Sequence, residues 1–75
     1  MKNYKLFNVG DYVKIVRTHG NDLNKIGIIE TVRPSFCKIQ ILNEDGSYML
    51  HPQNHKPIVN NHTYGQFVKC EKIEE

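Results

Sequence analysis

Three histidines fall close together, His51, His55 and His62, and two cysteines, Cys37 and Cys70, stand elsewhere in the chain. These side chains have the widest chemical repertoire, as metal ligands, bases or nucleophiles. The spacing His51-x3-His55 suits two zinc ligands one turn apart on a helix. Pro52 and Pro57 oppose a regular helix there. The cysteines that would complete a zinc set lie inside separate apolar runs, where a free thiol acts as a small hydrophobe, so no metal ligand is assigned. Nucleophilic catalysis needs a cysteine, a base and an orienting carboxylate, and no spacing in the chain supports that set. The carboxylates have simpler uses. Gly10-Asp11 opens a strand, Asp45-Gly46 makes a turn, and Glu71, Glu74 and Glu75 form an acidic, solubilising end. The expectation is a protein that is not an enzyme and carries neither cofactor nor metal.

Binding chemistry is better represented. Lys14, Arg17, Lys25 and Arg33, with His19 among them, bracket a loop, and cations neutralise a phosphate backbone without reading its sequence. Tyr12, Phe36, Tyr48 and Tyr64 could stack on unpaired bases. Against this, Asp11, Asp22 and Glu30 lie among the same residues and the formal net charge is only +2. The cations therefore also read as a solvated face, and the aromatics as caps on a small core.

The elements that must position these residues are strands. The chain has 75 residues, 39% of them hydrophobic and 24% charged, which suffices for one small domain over residues 1–75 and for a shallow groove rather than an enclosed cavity. No apolar run approaches the roughly 20 residues that span a bilayer, so a cytoplasmic protein with no membrane partner is expected. Alanine is absent, while Ile, Val, Thr and Tyr are abundant, which favours β-structure. After an arm over residues 1–7, Tyr12 to Arg17 alternates as a first strand. Thr18 to Lys25, rich in Gly and Asn, is a loop. Ile28 to Val32 is a second strand, stopped by Pro34, and Phe36 to Leu42 a third, with Cys37, Ile39 and Ile41 on one face. Asn43-Glu44-Asp45-Gly46 reads as a tight primed turn. Ser47 to Leu50 returns as a fourth strand, His51 to Tyr64 is a long loop, and Phe67 to Ile73 a fifth strand with Val68 and Cys70 inward. Val13, Ile15, Ile29, Val32, Ile39, Ile41, Leu50 and Val68 are the expected core.

Five short strands with a long loop before the last are the outline of an all-β, SH3-like barrel. More narrowly, Gly10-Asp11-Tyr12-Val13-Lys14-Ile15 followed by Lys25-Ile26-Gly27-Ile28-Ile29-Glu30-Thr31-Val32 resembles the KOW motif of ribosomal proteins and transcription factors, with the family's glycine at Gly27. That resemblance covers residues 10–32 and implies RNA or DNA binding; the basic residues near the first loop, Lys14, Arg17, Lys25 and Arg33, are the contacts of this alternative reading. The reading preferred over nucleic-acid binding places function in the two loops that the fold does not require. His55, Lys56, Ile58 and Tyr64 then form one side of a surface, with Arg17, His19 and Lys25 as its basic rim, and the partner is another protein. A lone binding domain of this kind also looks like the accessory proteins of phages and mobile elements, including inhibitors of host defence. On this reading, shortening His51–His62 to a tight turn spares the fold and abolishes binding. The oligomeric state is left open.

Overall fold

The computed structural model describes residues 6–71. Five strands form, β1 (Tyr12–Ile15), β2 (Ile26–Val32), β3 (Phe36–Ile41), β4 (Val59–Thr63) and β5 (Phe67–Lys69). They make one antiparallel sheet in the order β4-β3-β2-β1-β5. The described residues contain no α-helix, and no helix is long and apolar enough to cross a membrane. The first four strands follow the chain as a meander, and β5 returns to pair with β1 across nearly its whole length, Val13 opposite Lys69 and Ile15 opposite Phe67. β4 and β5 are the two margins and do not pair with each other, so the backbone ladder is not closed.

Alternation puts one side chain in two on the inner face. Val13, Ile15, Ile29, Cys37, Ile39, Ile41 and Phe67 are buried together there, with Phe7, Val32, Met49, Ile58 and Tyr64 packed around them. Ile29 and Val32 are three residues apart, which strict alternation would send to opposite faces. A bulge resolves this: Ile29 faces Ile39, but Thr31 faces Lys38, so the extra residue at Glu30 lets Val32 turn inward opposite Cys37. Gly27 is fixed by proximity. A Cβ built there would meet the Ile39 side chain and come within 2.7 Å of the Gln40 carbonyl oxygen, so only glycine lets β2 approach β3 so closely.

Several expectations change. Ser47 to Leu50 is not a strand and makes only two bridges, Leu42 to Tyr48 and Leu50 to Pro57. The fourth strand is instead Val59–Thr63, inside the segment expected to be a long loop. What remains of that loop is compact: the His51 N–H donates to the Lys56 carbonyl and the His55 N–H to the His51 carbonyl, both at 2.9 Å. His51–His62 therefore cannot be removed without deleting most of β4. Leu50 is exposed, since it belongs to this outward hairpin. In β5 the phase is reversed, with Phe67 3% exposed and Val68 48%. Phe67 wins the inner position because it meets Phe7 at 5.0 Å and Tyr64 at 5.8 Å between ring centroids. Phe7, assigned to an arm, is thus part of the fold; of the rest of that arm, Leu6 is exposed and residues 1–5 lie outside the described residues.

The Asp45-Gly46 turn is also of another type. Gly46 has φ 91°, but Asp45 does not share a positive φ. Gly46 N–H donates to the Asn43 carbonyl and Asn43 N–H to the Ser47 carbonyl, a three-residue hairpin loop with its left-handed residue last.

Truncating Ile39 to alanine is expected to cost about 2–5 kcal/mol of stability in urea unfolding, by cavity formation at the centre of the inner face. Gly27→Ala is expected to cost about 1–3 kcal/mol by forcing β2 from β3; an unchanged unfolding midpoint for Gly27→Ala would refute the close approach.

Candidate functional site

The first loop reaches β4 through a carboxylate. Tight backbone bonds shape it: Asn24 N–H donates to the Ile15 carbonyl at 2.7 Å, Ile15 N–H to the Lys25 carbonyl at 2.9 Å, and Lys25 N–H to the Asp22 carbonyl at 3.0 Å. Asn24 adopts φ 69° to make this turn, a conformation asparagine tolerates. The loop so folded drives Asp22 inward until it is only 9% exposed. A buried carboxylate must be met by donors. β4 supplies them, because Asn60 and His62 lie opposite Ile39 and Cys37 and so point to the inner face. Asn60 Nδ2 donates to Asp22 Oδ2 at 2.6 Å, and His62 Nε2 lies 3.1 Å from the same oxygen.

The seam continues to the other margin of the sheet. His62 Nδ1 is 3.3 Å from Gln66 Oε1, which also accepts the Thr63 N–H at 3.0 Å. The Gln66 carbonyl in turn accepts the N–H groups of Val16 and Arg17. Side chains of β4, the first loop and the residue before β5 thus bridge the gap that no ladder closes.

Beside this seam lies an open groove of about 500 Å³ between the first loop and β4, lined among others by Thr18, Asn21, Lys25, Ile58, Asn60 and Asn61. Of the residues assigned to protein binding, Lys25 and Ile58 meet here. Arg17 and His19 are exposed on the same loop, while His55 and Lys56 stand at the exposed tip beyond the groove, His55 at φ 58°. Tyr64 is elsewhere, at the far end of β4, where its hydroxyl donates to the Arg33 carbonyl at 2.7 Å and accepts from the Cys37 thiol at 3.4 Å. The cations assigned to nucleic acid are dispersed as well. Lys25 and Arg33 flank opposite ends of β2, about 20–25 Å apart at the rise of a strand. Lys14 lies on the outer face, opposite Ile26 and Val68.

The histidines are separated in kind: His62 is buried in the seam, His51 and His55 are exposed. Among the described residues no three His, Cys, Asp or Glu side chains gather as a metal site. Neither cysteine is joined to another. Burial raises the pKa of Cys37, a rise that the Tyr64 hydroxyl partly offsets, and burial likewise raises that of Cys70; both environments disfavour a thiolate. Asp22 was legible only as a loop residue, because its partners lie 38 and 40 positions later.

Compared with known proteins, the chain matches no family model, no curated protein and no solved structure.

Asp22→Ala strips Asn60 and His62 of their shared acceptor and is expected to cost about 1–3 kcal/mol, read by urea unfolding. The cost should shrink in a His62→Ala background, since the two side chains act as one unit; additive losses would break that coupling. In thiol labelling of the native protein, Cys70 is expected to react well before Cys37, which is fully buried.

Proposed function

We propose that this chain is a non-catalytic binding module that engages another protein through the groove between the Thr18–Lys25 loop and β4. The observation that carries the reading is the convergence of two segments distant in sequence on one concavity, held there by the Asp22 seam. Lys25 and Ile58 are the central contacts, Arg17 and His19 the rim, and His55 and Lys56 an extension at the neighbouring tip. A lining that is mostly polar, with Met49 and Ile58 as its apolar part, has the mixed character of non-obligate interfaces. The meander of four strands with β5 returned to β1 supports an SH3-like architecture, in which the polar seam stands where a barrel's last ladder would run. Small sheets of this kind offer loops as recognition surfaces.

Lys25→Glu, and separately Arg17→Glu with His19→Ala, are the variants to test. The wild-type chain, immobilised and exposed to a cell lysate, is expected to retain a protein partner after nuclease treatment and at raised salt. Lys25→Glu should reduce that capture at least about tenfold while melting as the wild type does. Capture that disappears with nuclease, or falls steeply with salt, would move the assignment to nucleic acid.

A further inference from the structure

β4 is a margin strand whose outward backbone is unused. The Ile41 N–H donates to the Ile58 carbonyl at 3.0 Å, which sets the phase of the ladder: Asn60 and His62 exchange bonds with β3, and Val59, Asn61 and Thr63 direct their N–H and C=O groups the other way. Thr63 is satisfied locally, its N–H by Gln66 Oε1 and its carbonyl by the Gln66 N–H, both at 3.0 Å. Val59 and Asn61 are left with two donors and two acceptors that meet no partner among the described residues.

Natural sheet margins are usually blunted by charge, proline or brevity. β5, the other margin, has three residues and carries Lys69, paired with Asp11 at 3.6 Å and lying over the Phe7 ring. β4 is longer, and its sequence Val-Asn-Asn-His-Thr holds no lysine, proline or carboxylate. Asn61 is exposed and also lines the groove. Within that groove Asp22 is already met by Asn60 and His62, whereas Lys25 makes no ion pair among the described residues.

We propose that β4 accepts an extended segment of a partner protein as an added strand, with an acidic side chain of that segment set against Lys25. This rests on the binding-module reading and specifies its chemistry. Main-chain hydrogen bonds to Val59 and Asn61 supply the affinity that any extended peptide shares, and the Lys25 charge supplies the preference.

The test uses a displayed library of random decapeptides, selected on the full chain, with the enriched peptides then titrated into labelled protein and followed by amide hydrogen exchange. Enrichment in Asp or Glu is expected, with exchange at Val59 and Asn61 slowed on saturation. Asn61→Pro removes a donor that faces away from β3, so the ladder survives. It should weaken binding at least about tenfold, and Asn61→Ala, which keeps the backbone, by less than about threefold. Should Asn61→Pro fail to fold, the exchange pattern of the wild type decides alone. Peptides that bind while leaving Val59 and Asn61 exchange unchanged overturn strand addition and leave the binding-module reading standing. A library that yields no binder also overturns strand addition, and the lysate capture with Lys25→Glu judges the module reading separately. Protection of those two amides by the protein alone, rising with its concentration, overturns the proposal in favour of a second copy as occupant.

Discussion

The carboxylate of Asp22 is the constraint around which this small sheet is arranged. Removing a charge from water is costly, and the cost is met only when donors are held in place around it. Here one donor is an asparagine and the other a histidine on β4, and both point to the inner face beside Ile39 and Cys37 of β3. The first loop is thereby tied to the far side of the sheet, and through His62 and Gln66 the tie extends to the strand pair β1 and β5. An apolar closure of equal area would be less particular about geometry. A polar one tolerates few alternatives, because each displaced partner leaves another group unsatisfied. The seam and the groove beside it are two aspects of one arrangement.

An aromatic group does the complementary task at the other end. Phe7, Tyr64 and Phe67 gather at 5.0–5.8 Å between centroids, joining the entry to β1, the turn after β4 and the start of β5. Tyr64 also holds the β2–β3 turn through the Arg33 carbonyl. The gap between the sheet margins is thus bridged by a hydrophobic contact near that turn and a polar one beside the groove. The chemistry of the two ends differs, and the polar end opens to solvent as a concavity.

The sequence made the central strands legible and the margins illegible, for a physical reason. β1 and β3 place Val13, Ile15, Cys37, Ile39 and Ile41 at every second position, so their inner faces can be read from spacing alone, whereas β2 carries Ile on both faces and the Glu30 bulge shifts its phase. β4 places Asn60 and His62 where an inward face would ordinarily be apolar, because their partner is a carboxylate that no local window contains. Polar composition there signals a loop, and the apolar-looking Ser47 to Leu50 attracts the strand assignment instead. The inversion in β5 has a similar origin: Phe67 and Val68 are both good strand formers, and the choice between them is made by Phe7, sixty residues earlier. Of the site, Lys25 and Ile58 were visible as residues of polar loops. Their meeting on one groove depended on Asp22.

The return of β5 to β1 bears on how the chain reaches this state. Val13 and Lys69 become neighbours only after more than fifty intervening residues have been gathered in, and the entropy of closing such a loop grows slowly with length but must be met before any contact repays it. The β2–β3 hairpin needs only a short turn and can form in microseconds, whereas the β1–β5 pairing is a late, non-local event. Substitutions in β2 or β3 would then slow folding, and those in β5 would chiefly hasten unfolding, so the lifetime of the native state is set at the strand that arrives last.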